Sequence, residues 1–256
     1  MPARIATVIM LAACWDAWRL LAGRIEDAAS VAMVLVLIVG LAWRTWSMDA
    51  GRRIAAPKLA ALLALYAAAS WTGPALLQIG AAVVAITILL RAGDGWKASL
   101  PVAGFALLSL PILPTLDFLL AYPLRRVSVL ITATLLRMNG MAVGVEGVAL
   151  DWHGQRLLFD GPCSGVKMLW AALLLASLVA LVQGATLARY LRLLGIAVVA
   201  AVAGNALRAA SLFYLENGFV ASLEGGIAHE AVGVVAFLML TIAILAGARN
   251  ADRGFA

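Results

Sequence analysis

The chain has 256 residues, 64% of them hydrophobic and 12% charged, against roughly 25% charged in a soluble globular domain. A mean hydropathy of +1.02 excludes a soluble enzyme, and no polar stretch reaches the roughly 50 residues of an independently folding domain. The formal charge of +6 reads as membrane topology rather than nucleic-acid binding, because the basic residues are scattered between apolar runs.

Runs of about 20 apolar residues suffice to cross a bilayer as a helix. They predict eight spans, at 4–22, 28–46, 55–72, 75–91, 98–120, 165–184, 188–215 and 229–248. In the first, Arg4 precedes an apolar stretch that runs on through Trp15 and Trp18 without a cleavage site, so a retained helix is expected rather than a leader. Residues 121–140 begin with Pro123 and the pair Arg125-Arg126 and carry a short apolar face, which predicts an interfacial helix. Val143 and Val145, then Val148, Leu150 and Trp152, alternate with smaller or polar residues. His153-Gly154 follows as a turn, and Leu157 and Phe159 continue the alternation, so a β-hairpin is predicted on the outer face. Its second strand leads through Asp160-Gly161-Pro162 to Cys163.

The expected fold class is an all-α polytopic membrane protein. A single integral-membrane domain over 1–256 would comprise five N-terminal spans (1–120), the interfacial helix and extracytoplasmic hairpin (121–162) and a three-helix catalytic core (163–248). Short loops rich in Lys and Arg stay cytoplasmic. With the N-terminus inside, Arg4, Arg44, Arg52, Arg53, Lys58, Arg91, Lys97, Arg189, Arg192, Arg249 and Arg253 fall inside, 11 of the 19 basic residues. Both termini are then cytoplasmic.

Helix arithmetic brings distant residues to one depth. Cys163 lies 24 residues before the inner turn near residue 187 and Arg208 lies 21 after it. At about 1.5 Å per residue both reach the outer surface, where His229 opens the last span. A thiolate is favoured at a helix N-terminus. Pro162 suits a helix start, Ser164 and Gly165 leave room for a substrate backbone, and Lys167 adds charge one turn on. The alternative for a lone cysteine is a small apolar packer, the reading given to Cys14 in the first span. Arg208 stands in an apolar helix, where arginine is costly unless it snorkels or serves a function, and Asn205 three residues earlier can orient it. His229 reads as a proton-transfer group or as an interfacial helix cap, and His153 as a turn residue. Together Cys163, His229 and Arg208 fit a nucleophile, an acid/base and an oxyanion stabiliser. Nothing in the residue pattern calls for a metal or another cofactor: two cysteines and two histidines are too few for the usual zinc sites.

The passages G-P-C-S-G-V-K-M-L at 161–169, N-A-L-R at 205–208 and H-E-A-V-G-V-V-A-F at 229–237 resemble, in order, the three motif regions of the exosortase and archaeosortase family. P-L-R-R-V-S at 123–128 and V-E-G-V at 145–148 are similar to the segment that precedes the family's active cysteine. The resemblance covers roughly 120–240. It implies a membrane cysteine transpeptidase of the cell's inner membrane with an outward-facing site. Its partners would be membrane-anchored exported proteins ending in a sorting signal: a short motif, often Pro-Glu-Pro, then a membrane helix and a basic cluster. By resemblance Cys163 is the nucleophile, Arg208 positions the carbonyl or stabilises the oxyanion, and His229 is the acid/base, with Asn205 supporting the arginine. Where the family often has arginine this chain has Lys167, which keeps the charge and loses the bidentate fork. Water, lipid amine and glycan amine remain open as acceptors. Two rival functions stand beside it: a scaffold for surface polysaccharide export, and a transporter, although transporters place polar residues at the midplane of broken helices.

Overall fold

The computed structural model describes residues 1–23, 51, 53–94, 99–110, 112–158, 164–217 and 225–253. The expected span at 28–46 lies outside these residues, as do Phe159, Asp160-Gly161-Pro162 and Cys163. Packing divides the chain into two compact units, Met1–Ile112 with Ala180–Leu187, and Leu113–Val179 with Ala188–Ala256.

In the first unit, α1 (Ala3–Ala13) and α2 (Trp15–Ala22) meet at Cys14 with a bend of 53°. The span expected over 4–22 is thus a broken one. No proline or glycine forces the break; side chains from elsewhere satisfy the backbone groups it exposes. The Ala17 N–H, in the orphan first turn of α2, donates to the Tyr66 hydroxyl at 3.3 Å, and Trp18 Nε1 donates to the Leu11 carbonyl at 2.9 Å. The buried stripe Ala3, Ala6, Met10, Cys14, Ala17 and Leu21 keeps its three-to-four spacing through the bend and packs on α3 (Ala56–Thr72) and α4 (Ala75–Asp94). The α3–α4 corner is pinned by Gln78, whose amide donates to the Ser70 and Gly73 carbonyls at 3.3 and 3.1 Å. The first residues pair with the segment before α3: Ile54 N–H donates to the Met1 carbonyl at 2.8 Å. Tyr66→Phe leaves the Ala17 amide buried and unsatisfied, so a loss of about 1–3 kcal/mol is expected. It should appear as a lower Tm in detergent; an unchanged Tm would refute this account of the bend.

α5 (Ser99–Leu108) closes the first unit's helices, and α6 (Leu113–Met138) opens the second. This corrects two expectations. The span at 98–120 is interrupted between Leu108 and Leu113, where one helix ends and the next begins, and 121–138 is the C-terminal part of one 26-residue helix rather than a separate interfacial helix. Both follow from which proline the helix tolerates. Pro114 suits the first turn of a new helix. Pro123 sits inside α6, depriving the Leu119 carbonyl of its donor on a face where Leu119 is exposed, a defect that membrane helices accommodate.

The hairpin is in fact a three-stranded antiparallel meander, β1 (Gly144–Glu146), β2 (Ala149–Trp152) and β3 (Gln155–Leu158), in the order β1-β2-β3. The extra turn is Gly147-Val148, with Gly147 at φ +61°. The expected turn at His153-Gly154 has both residues at positive φ, +51° and +78°, as a type I′ hairpin requires. The register aligns Val145, Leu150 and Leu157. That apolar face packs on Val129, Ala133 and Leu136 of α6 and on Phe213. Trp152 meets the Phe213 ring edge-on at 5.2 Å. Two arginines of α6 hold the sheet by its backbone: Arg126 donates to the Gly147 carbonyl at 3.0 Å, and Arg137 donates twice to Val143, at 3.0 and 2.9 Å.

α7 (Val166–Val182), α8 (Leu187–Glu216) and α9 (Gly225–Arg253) occupy the ranges expected for the last three spans. Toward the start of α8, Tyr190 shares a 3.0 Å hydrogen bond with Ser177 of α7, and Arg189 donates to the Ala248 carbonyl of α9 at 2.9 Å. Among the described residues three helices are long and apolar enough to cross a bilayer: Leu113–Met138, Leu187–Leu215 and Glu230–Arg249. The α1–α2 pair makes a fourth if it counts as one span, and Ala56–Trp71, Ala75–Leu90 and Val166–Val182 are shorter apolar helices.

Candidate active site

Ser164 and Gly165 set the start of α7. The Gly165 carbonyl accepts the Leu169 N–H at 2.9 Å, and the Ser164 hydroxyl accepts the Val166 N–H at 3.4 Å, so two groups of the helix start find partners. Gly165 has φ +77°, a conformation that disfavours any residue with a Cβ. Crowding adds a second constraint. A Cβ at 165 would lie 2.9 Å from Asn205 Nδ2 and 3.0 Å from its Cγ.

Asn205 therefore sits directly against the turn that follows Cys163 in sequence. Its amide donates to Ser128 Oγ of α6 at 2.9 Å. Asn205, Ser128 and Ser164 are each 2% exposed, and the gap they share leaves no room for a water molecule, so the polar contacts are direct. One turn along α6, Thr132 Oγ1 donates to the Ala206 carbonyl of α8 at 3.2 Å. Ser128 and Thr132 escaped the sequence reading. Their signal was available as two small hydroxyls at i, i+4 in an apolar helix, a spacing that serves interhelical hydrogen bonding.

Arg208, half-buried, lines a different cavity, a cleft of about 200 Å³ between α8 and α9. Its walls include Gly204, Leu207 and Ser211 on one side and Val232, Val235 and Ala236 on the other. A guanidinium in so apolar a setting attracts a negative or strongly polar partner. The opposing backbone comes close, since a Cβ at Gly233 would lie 3.7 Å from Arg208 Nε. Position 229 is one helical turn before Gly233 in α9. Lys167 is exposed in the first turn of α7. Cys163 lies outside the described residues.

The three motif segments thus adjoin pairwise: 164–169 meets 205 through Gly165 and Asn205, and 208 meets the 229–237 segment through Arg208 and Gly233. A family model described as transmembrane exosortase matches residues 15–246, nearly the whole chain. Comparison with curated proteins gives no match, and neither does comparison with solved structures.

Proposed function

The chain belongs to the transmembrane exosortase family, and on that premise we propose that it is a membrane-embedded cysteine protease or transpeptidase. It cleaves the C-terminal sorting signal of exported proteins and releases or transfers them at the cell surface. The observation that carries this reading is the pairwise contact of the three motif segments, which supports one composite site built from α7, α8 and α9.

In this mechanism the Cys163 thiolate attacks the scissile carbonyl of the sorting motif. Negative charge gathers on the carbonyl oxygen, where Arg208 stabilises it. As the C–N bond breaks, His229 gives its proton to the leaving amine, and the membrane tail departs, leaving the acyl group on sulfur as a thioester. His229 then takes a proton from an incoming amine or water. The new nucleophile displaces the thiolate and yields an amide or a free acid. Asn205, Ser164 and Gly165 shape the start of the nucleophile's helix, and Lys167 adds positive potential beside it. The site faces the extracytoplasmic side of the inner membrane with both termini inside, so a substrate's basic cluster stays in the cytoplasm.

The test is co-expression with a membrane protein ending in a Pro-Glu-Pro motif, an apolar helix and a basic tail. Mass spectrometry should find the substrate shortened at the motif, and the mass of the new C-terminus identifies water or amine as acceptor. A substrate that keeps its tail in cells carrying the wild-type chain would sink the proposal.

A further inference from the structure

We propose that Arg125 of α6 is a specificity residue that binds the carboxylate of an acidic side chain in the substrate's sorting motif. This deepens the function above and rests on its reading of the substrate as such a peptide.

Arg125 and Arg126 stand side by side in α6, and their guanidinium groups are used differently. Arg126 is exposed and donates to the Gly147 carbonyl at 3.0 Å. Arg125 falls on the opposite, inner face of the helix: Ala121, one turn before it, is buried, as are Ser128 and Val129, one turn after it. Tyr122, Val127 and Leu130 mark the exposed face. Arg125 is half-buried, and its Nε is shielded and has no hydrogen-bond partner among the described residues. Other carboxylates of the same unit are engaged or exposed: Glu146 pairs with Arg156, and Asp117 and Asp151 are exposed. A buried donor without an acceptor is costly, the more so on a charged group, so an arriving anion relieves a cost that the folded chain carries. The guanidinium edge that holds Nε presents two parallel N–H donors, a geometry matched by the two oxygens of a carboxylate.

This charge stands at the candidate site. Leu124, the preceding residue, and Ser128, one turn on, line the same gap as Ser164, Gly165 and Asn205. The stretch 124–128 is thus a wall of that site, and Arg125 is the cation in the wall. A lipid phosphate has related chemistry, but the bilayer meets the face of Tyr122, Val127 and Leu130, whereas the shielded Nε belongs to the inner face. A Pro-Glu-Pro motif suits the inner position. Its prolines lack N–H donors and are fixed in φ, which leaves the glutamate carboxylate as the motif's one charged group.

The experiment measures binding in detergent by the full chain carrying Cys163→Ala, which excludes turnover and serves as the parent. The two ligands are the sorting-signal protein and the same protein with glutamine in place of the motif's glutamate. The parent should bind the glutamate form about tenfold more tightly. Arg125→Gln should weaken the glutamate form by about tenfold and leave the glutamine form within about twofold, so that discrimination disappears. Arg126→Gln removes an equal charge one residue away and should keep the discrimination. Arg125→Glu should favour a ligand with lysine at the motif's acidic position. If Arg125→Gln does not accumulate, Arg125→Met removes the charge at similar bulk and should give the same result.

The proposal is overturned by a parent that binds both forms equally or neither, by an Arg125→Gln variant that weakens both forms alike, as a structural role or a bound lipid predicts, or by loss of discrimination in Arg126→Gln. Binding needs no cleavage. Equal binding of the two forms, beside a wild-type chain that shortens the substrate, removes the carboxylate site and leaves the proposed function standing. Tenfold discrimination, beside a wild-type chain that leaves the substrate whole, removes the function and leaves the site standing.

Discussion

Replacing Cys163 with alanine is expected to reduce processing of a co-expressed sorting-signal protein by at least about 10³-fold, because covalent catalysis has no substitute once its nucleophile is gone. Residue 163 immediately precedes a cap in which Ser164 and Gly165 start the 17-residue helix α7, and Lys167 lies exposed in its first turn. Cys14→Ala is the matched control. That thiol is buried in the core of the first unit and should leave processing unchanged. The same pair reports the side of the membrane: a membrane-impermeant maleimide on intact cells should label Cys163. Processing by the Cys163→Ala variant within tenfold of the parent, or labelling only after permeabilisation, would refute respectively the mechanism and the topology.

Arg208→Ala should lower kcat by about 10²–10³-fold, the range for loss of one oxyanion donor, with a smaller effect on KM. Arg208 is half-buried in a cleft with apolar walls, where a charge acts with little screening. Arg208→Lys keeps the charge and loses the planar fork, so it should recover part of the rate. A cavity-filling effect predicts the opposite order: Arg208→Met, which preserves bulk, would outperform lysine. That order, or an alanine variant within threefold of the parent, would remove Arg208 from the chemistry.

The sequence was most legible where periodicity met punctuation. Helices at 56–72, 75–94, 166–182, 187–216 and 225–253 follow from apolar runs bounded by Gly, Pro and charge. The meander carried its own clue: the apolar positions change parity between Val145 and Val148, which a single strand cannot do, and Gly147 stands at the slip. Proline misled, because Pro123 reads as a boundary in the sequence and lies inside α6. A lone proline does not say whether the deprived carbonyl has another way to be satisfied. The bend at Cys14 was invisible for a related reason, since the Tyr66 and Trp18 groups that stabilise it come from other turns and another helix. At the site, the sequence singled out Asn205 and Arg208, but not the Ser128 oxygen that engages Asn205. Hydrogen-bond partners 77 residues apart leave no local pattern.

Gly165 is constrained both by handedness, at φ +77°, and by the asparagine packed against it. These two constraints relax differently. Shortening residue 205 would open space without changing the backbone angle, so a side chain at 165 would still be strained. The pair is therefore epistatic in one direction only. Changes at 205 can be explored while the glycine stays, but no single change at 205 makes the glycine dispensable. Along any lineage or design path the turn must be inherited intact, and diversification of the site has to proceed through its neighbours.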